Sequence, residues 1–188
     1  TADGIAMQPL YAPARGDAVT ARGGSGAWTV MQGVDNPEPS AADAQALEDL
    51  DGGANGLALR IAGAPTARGF GVKATSLDAL DKALAAVRLD WIALRVDAGA
   101  KAPAIAKLLT DLAARRKLDP AALTIDFGLD PISDLARAGG TGDAGAMSSS
   151  LASTAKSLTA AGFKGRAAMA DGRVWHEAGA SEGEELAC

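Results

Sequence analysis

The sequence predicts an α/β fold in which parallel strands alternate with helices. Five short apolar segments are typical of buried strands, at residues 27–32, 56–62, 91–97, 123–127 and 166–170. Between them lie segments whose apolar residues recur every three to four positions, as on one face of a helix. Strands joined through helices pair in parallel with right-handed crossovers, so this alternation defines the class.

The first two helices are indicated by the residues at their amino ends. Ser40 with Asp43 is typical of a capping box, and the helix that it opens is predicted to end at Leu50. Thr75 with Asp78 has the same spacing and predicts the second helix. The apolar face of that second helix consists of Leu77, Leu80, Leu84 and Val87.

The later elements are predicted by the same kinds of signal. A helix over 101–116 has one apolar side, formed by Ile105, Leu108, Leu109 and Leu112. Asp130 before Pro131 is typical of an N-cap followed by proline at the first helical position. Residues 139–150 are rich in glycine and serine and predict a flexible connection, after which a helix over 151–161 precedes the fifth strand.

The number of units suggests an incomplete architecture. Five β/α units account for most of the chain, whereas an eightfold barrel usually takes about 250 residues. Ser181 with Glu184 is typical of one more capping box, and the sequence stops shortly afterwards. We expect a fragment, or a subunit completed by other polypeptide, with an apolar inner face. Residues 1–26 predict an extended N-terminal arm, and residues 27–188 the partial barrel domain.

Composition excludes several classes of function. The net charge of −5 and the scattered lysines and arginines argue against a nucleic-acid partner. No apolar run approaches the roughly 20 residues that span a bilayer and no targeting segment is visible, so a cytoplasmic location is predicted. The lone histidine and the lone cysteine, Cys188, cannot supply an internal disulfide or a zinc site of the usual type. Ser148–Ser150 lack the context of a hydrolase nucleophile.

Four carboxylates lie at or near the predicted carboxyl ends of strands, where barrel enzymes keep their chemistry. They are Asp97, Asp126, Asp130 and Asp171. Such a group could bind a divalent cation or act as acid and base, and its members could equally cap the helices that follow. The sequence favours the capping interpretation.

Two blocks in the same order and rough spacing resemble the barrel half of methylmalonyl-CoA mutases. Residues 171–181 read DGRVWHEAGAS and are followed by 184–187, similar to the family's "DGxxYHEAGAS…ELA". Near the start, residues 9–11 (Pro-Leu-Tyr), 22–23 (Arg-Gly) and 28–32 (WTVMQ) are similar to its "PLY…RG…WTIRQY". The pattern is most similar to that of the small, non-catalytic subunit.

The resemblance implies a parallel (β/α) barrel of the TIM-barrel type, of which this chain would hold about the first five units. In that family the barrel threads a CoA ester, and a separate C-terminal domain holds adenosylcobalamin for the isomerisation of succinyl-CoA and methylmalonyl-CoA. It further implies that this chain binds no cofactor and supports a catalytic mutase subunit in a heterodimer, or the remainder of its own barrel. The N-terminal segment of the family embraces the partner subunit.

The resemblance also assigns roles to single residues. Thr29 is retained from "WTIRQY" and is a weak candidate for substrate binding, whereas Met31 replaces the arginine that meets the CoA phosphates. Gly33 replaces the tyrosine that presses on the reacting group. His176 is followed directly by Glu177, as in the small subunit, and is a weak catalytic candidate beside the interpretation that it is structural, at the end of strand five.

A cobalamin motif is matched only in part. His176 and Gly179 satisfy the second half of "DxHxxG", but Val174 stands at the aspartate position, so no cofactor or metal site is predicted. Two alternatives to a mutase subunit remain open. One is a β/α-barrel isomerase or lyase that uses Asp97, Asp126 and Asp171 with His176. The other is a free-standing α/β domain with a binding role only.

Overall fold

The computed structural model describes residues 1–13, 16, 27–140 and 142–187. Cys188 and the Arg-Gly pair at 22–23 of the N-terminal block lie outside the described residues. The chain divides into two compact units, a larger one over Thr29–Asp171 and a smaller one that combines Thr1–Trp28 with Gly172–Cys188. The predicted division at residue 26 stays a prediction.

The larger unit contains the sheet and most of the helices. Its strands are β1 (Met31–Val34), β2 (Gly56–Arg60), β3 (Ala93–Asp97) and β4 (Thr124–Asp126). Its helices are α1 (Pro39–Asp51), α2 (Leu77–Ala83), α3 (Ala102–Arg115), α4 (Pro131–Ala138) and α5 (Ala144–Ala160). Strands and helices therefore alternate up to β4, which confirms the α/β class.

The four strands form one parallel sheet in the order β1-β2-β3-β4. This nearest-neighbour order was predicted, and the order of these four strands is confirmed. The predicted fifth strand is wrong as a regular element, because residues 166–170 make only a single parallel bridge, between Leu129 and Ala168. Its position is nevertheless beside the chain that leaves β4, since the Met169 N–H donates to the Leu129 carbonyl at 3.0 Å. Closure into a barrel stays a prediction.

One face of the sheet packs against helices and forms the core. Alternate residues of the strands are fully buried there, among them Leu57, Leu59, Leu94, Val96 and Ile125. The helices add small and branched residues, and Phe127 meets Phe163 edge to face with ring centroids 5.2 Å apart. Burying apolar surface stabilises a fold by about 25 cal/mol per Å², so this layer is the main source of stability.

The opposite face is not apolar, which corrects the expectation of an apolar inner face. Its residues alternate with the buried ones and are small or charged, as in Gly33, Ala58, Arg60, Arg95 and Asp126. Most of these positions are half-buried rather than fully buried. The reason is visible in the strands, where most of the second positions between the large apolar residues hold a glycine, an alanine or a charged residue.

Several predicted boundaries are wrong. Residues 27–30 precede β1, which begins at Met31. Helix α1 has Glu38 as its N-cap with Pro39 at its start, so Ser40 with Asp43 is not a capping box. Proline fixes its own backbone torsion at the first helical position, and this moves the start of the helix.

Two further helix starts of the larger unit differ from the prediction, and the start of α4 agrees with it. Ser76, not Thr75, caps α2 by accepting the Ala79 N–H. Residues 144–150, predicted as a connection, belong to α5, which Asp143 caps. Asp130 caps α4 before Pro131 as predicted.

The smaller unit contains two short helices, α6 (Arg173–Glu177) and α7 (Glu182–Ala187). The capping box of α7 is confirmed: the Ser181 N–H donates to Glu184, and the Glu184 N–H donates to the Ser181 hydroxyl at 3.3 Å. Asp3 accepts from the Ser181 hydroxyl and from the Gly183 N–H. Residues 1–13 contain no helix or strand. Among the described helices, none combines the length and apolarity that a membrane span requires.

Candidate functional site

The block around β1 places Thr29 and Met31 at the amino end of the sheet. Thr29 is exposed and comes just before the strand. A Cβ added at Gly56 would lie 2.8 Å from Thr29 Cγ2 and 3.1 Å from Met31 Cε, so both side chains lie over that glycine. Parallel-sheet proteins keep ligands at the carboxyl ends of their strands, which is the opposite edge. The role of Thr29 in substrate binding stays a prediction.

Gly33 is covered by an arginine of the neighbouring strand. A Cβ added at Gly33 would lie 2.8 Å from Arg60 Nη1 and 3.0 Å from Arg60 Cζ. The same guanidinium donates to Asp35 Oδ2 at 3.1 Å. The space in front of Gly33 is therefore filled by a paired cation, not by an aromatic ring.

The strand-end carboxylates Asp126, Asp130 and Asp171 are engaged in structural contacts of the chain. Asp126 accepts two hydrogen bonds from Arg166, at 3.0 Å from Nε and 2.6 Å from Nη2. These bonds hold the pKa of Asp126 below its usual value although burial opposes them. Asp130 caps α4 and also accepts the Asp171 N–H at 2.7 Å. Asp171 pairs with Arg137 at 3.1 Å.

One further carboxylate, Asp134, lies near three of the four strand-end acids. Asp134 was not identified as a candidate from the sequence. Burial raises the pKa of Asp134, and the negative charges of Asp130, Asp97 and Asp171 add to the effect against the opposing charge of Arg137. Asp134 borders an apolar cavity of about 450 Å³ between the amino ends of α3, α4 and α5. Its position in the first turn of α4, one turn after Asp130, was the available signal.

No metal site is assembled by these carboxylates. In the described part of the chain, no group of three or more histidine, cysteine, aspartate or glutamate residues could hold a metal ion. Asp126 faces Arg166, whereas Asp97, Asp130 and Asp171 are the acids that act on Asp134. The capping role of Asp130 is confirmed.

His176 lies in α6 and not at the end of a strand, which corrects its predicted location. Its side chain is 74% exposed, and Nδ1 lies 3.3 Å from Glu185 Oε2 on α7. Its partner is thus a carboxylate side chain rather than the backbone. The catalytic candidacy of His176 stays a prediction.

The residues around His176 do not fit adenosylcobalamin. Val174, at the position of the motif's aspartate, is buried and offers no oxygen to a ring nitrogen. The Glu185 carboxylate that does contact Nδ1 comes from the following helix, not from the motif.

Three arginines on the charged face of the sheet were missed by sequence reasoning. Arg60 and Arg95 lie on β2 and β3, and Arg166 lies beside β4. The available signal was the placement of Arg60 and Arg95 at alternate positions in otherwise apolar strands. A charged residue at such a position faces away from the helices and toward whatever occupies the other side of the sheet.

No protein-family model matches the chain. The chain is similar to a curated protein named "Methylmalonyl-CoA mutase small subunit" from Streptomyces virginiae, with 29% identity over 199 aligned positions. The alignment covers 98% of this chain but 30% of that protein, so the chain spans about a third of the relative's length. This similarity supports the methylmalonyl-CoA mutase family. It extends across both described units of the chain, and not only over the two end blocks.

Proposed function

We propose that the chain is the N-terminal part of a methylmalonyl-CoA mutase subunit of the small, non-catalytic type. The observation that carries the proposal is the similarity over 98% of the chain to a protein with that name. The parallel sheet in the order β1-β2-β3-β4 is consistent with the first half of a (β/α) barrel. We further propose that the protein is cytoplasmic and that its role is structural.

The residues of β1 support the proposal that this chain is non-catalytic. Met31 has no guanidinium to contact a phosphate, and no thioether replaces a bidentate arginine. Gly33 has no ring, and the Arg60 guanidinium that pairs with Asp35 lies over it. A bound acyl group at this point would meet a charged pair instead of an aromatic wall. We therefore propose that this chain alone turns over no substrate and holds no adenosylcobalamin.

The proposed partner is a catalytic mutase subunit or the remainder of the same barrel. Apolar side chains near the start of the chain are exposed, with Leu10 at 87% and Tyr11 at 62%. Exposed large apolar groups in a segment without helix or strand are suited to contact with other polypeptide. The strand edges of an incomplete barrel would be paired by the rest of the protein.

Co-expression with a catalytic mutase subunit tests this proposal. We expect co-purification through gel filtration, and weaker association when residues 1–13 are deleted. The matched control is Leu186→Ser, which also removes an exposed apolar side chain but at the other end of the chain. Failure of the intact chain to co-purify, or a corrin spectrum that stays with the isolated chain, would contradict the proposal.

The β/α-barrel isomerase or lyase remains the second candidate. The raised pKa of Asp134 beside the 450 Å³ cavity is the observation that favours it, since catalytic acids are often shifted in this way. This candidate would now rest on Asp134 and Asp130, because Asp126 is held by Arg166. Calorimetric titration with CoA esters separates it from a purely structural subunit, which should give no heat.

A further inference from the structure

We propose that the larger unit binds a small oxyanion, a carboxylate or a phosphate group, on the guanidinium of Arg95. The site is a polar cavity of about 390 Å³ on the charged face of the sheet. Its walls come from β3, from β4 and from the segment bridged beside β4. The cavity is lined by Arg95, Asp126, Gly128, Arg166 and Met169, among others. The inference does not depend on the proposed mutase function.

The cavity follows from the register of the strands and from small residues beside them. Arg95 and Asp126 are direct partners in the parallel register of β3 and β4, so both side chains point to the same face. Gly128 has a φ of +64°, and a Cβ there would overlap the Val96 carbonyl oxygen. Ala168 and Ala170 complete the wall without filling it. A concave space is thus left in front of Arg95.

The charges in the cavity do not balance. Asp126 is already satisfied by the two hydrogen bonds from Arg166, which also keep its carboxylate ionised. Within the described residues, the hydrogen bond of the Arg95 guanidinium goes to Met169 Sδ at 3.1 Å. A thioether is a weak acceptor, whereas an arginine offers five N–H donors. Two guanidinium groups against one carboxylate leave one net positive charge in the lining of the cavity, to which Arg95 contributes while its charge also acts on Asp126.

An oxyanion is the ligand that this arrangement would recognise. The planar guanidinium matches two oxygens on one atom, as a carboxylate or a phosphate group presents them. The ligand would replace the thioether contact by charge-assisted hydrogen bonds, which are roughly twice as strong as neutral ones. Asp126 limits the net charge of the cavity, so a singly charged anion is favoured over a more highly charged one.

The test is a titration of the 188-residue chain followed by nuclear magnetic resonance. The probes are sodium propionate and inorganic phosphate, each added at constant ionic strength with sodium chloride. We expect saturable shifts of the Arg95 Nε–Hε and Gly128 amide signals. The probe with the lower saturating concentration identifies the carboxylate or the phosphate as the preferred oxyanion.

Two variants separate the site from general charge effects. Arg95→Met should weaken binding by at least about tenfold, since a hydrogen-bonded charge is lost. The matched control, Arg88→Met, removes an exposed arginine that pairs with Asp90 outside the cavity, and should change binding less than twofold. Met169→Leu leaves Arg95 in place and should bind as tightly or more tightly, because the competing acceptor is gone.

Three results would overturn the inference. The first is a linear shift without saturation, which would indicate general ionic strength rather than a site. The second is equal weakening in Arg95→Met and Arg88→Met. The third is weakened binding in Met169→Leu, which would mean that the shape of the cavity and not Arg95 holds the anion. This variant is the deciding one if Arg95→Met does not fold, as seen from a loss of dispersion in its amide signals.

Discussion

The Arg60 guanidinium lies directly over Gly33 of the neighbouring strand, where a Cβ would come within 2.8 Å of Nη1. The arginine is held there by Asp35, which follows β1 and accepts from Nη1 at 3.1 Å. A side chain at Gly33 would require the guanidinium to move from this position. Gly33 and Arg60 are therefore coupled, and a substitution of one changes the environment of the other.

The first prediction concerns this coupling. Gly33→Tyr should lower the free energy of unfolding by about 1–3 kcal/mol, because the ring must displace the guanidinium from Asp35. In the double variant with Arg60→Ala the losses should be less than additive, by about 0.5–3 kcal/mol. Urea unfolding of the four proteins in the cycle measures this. Gly33→Tyr combined with Arg88→Ala should be additive, and additivity in both pairs would contradict the coupling.

The second prediction separates a clash with backbone from backbone strain alone. Gly128 and Gly139 have nearly the same torsion, with φ of +64° and +65°. A Cβ at Gly128 would overlap the Val96 carbonyl oxygen, whereas a Cβ at Gly139 would have no atom within 4 Å. Gly128→Ala should cost about 2–4 kcal/mol and Gly139→Ala about 1 kcal/mol. Equal losses in thermal or urea unfolding would show that the Val96 contact is unimportant.

The order of the strands could be predicted because it follows from a repeated local pattern. Each strand is a short apolar run joined to the next by one crossover, and consecutive strands are usually neighbours, so the order β1 to β4 could be expected. The same local reasoning identified Asp130 before Pro131 as a cap. It failed at Ser40, because Pro39 at the first helical position makes Glu38 the N-cap and so moves the start of α1 two residues earlier.

The charged face could not be predicted from periodicity alone. Arg60 and Arg95 alternate with large apolar residues in their strands. Their partners, Asp35 and Met169, are distant from them in sequence. Residues 144–150 were missed for a different reason. Their glycine and serines are weak helix formers, and the cap from Asp143 with the packing of α5 outweighs that preference.

The third prediction concerns Arg116, which ties α3 to α2. Its Nε donates to Asp81 Oδ1 at 2.8 Å, and Nη2 donates to the carbonyls of Asp81 and Leu84 at 2.9 Å each. The side chain is 18% exposed, against 40% for its neighbour Arg115. Arg116→Met should cost about 2–4 kcal/mol, because the buried carbonyls and the carboxylate lose charged donors. Arg115→Met should cost at most about 1 kcal/mol.

Unfolding at acid pH tests the ion pair between Arg116 and Asp81. Burial raises the pKa of Asp81, but the hydrogen bonds from Arg116 and Arg115 outweigh it and lower the pKa below 3.8 overall. When the pKa of a carboxyl group is lower in the folded state, the group stabilises the protein at pH values above its unfolded-state pKa. This stability is lost as the pH falls through the folded-state pKa. The difference between wild type and Arg116→Met should therefore shrink below about pH 4. A constant difference down to pH 2 would mean that the Asp81 charge is not involved.

The last prediction concerns Asp134, whose shift has the opposite sign. Burial raises its pKa above 3.8, and the charge of Asp130 adds to the rise. The folded state then binds more protons than the unfolded state in the window above 3.8, so the stability falls as the pH rises through that window. Asp134→Asn removes this titration and keeps the size of the side chain. The variant should gain stability relative to wild type between about pH 4 and pH 7, and the gain should vanish near pH 3, where the carboxyl is protonated in both states. Glu48→Gln on the exposed side of α1 controls for the loss of one negative charge. Urea unfolding at closely spaced pH values measures both variants, and an equal gain in the two would assign the effect to net charge instead of to the burial of Asp134.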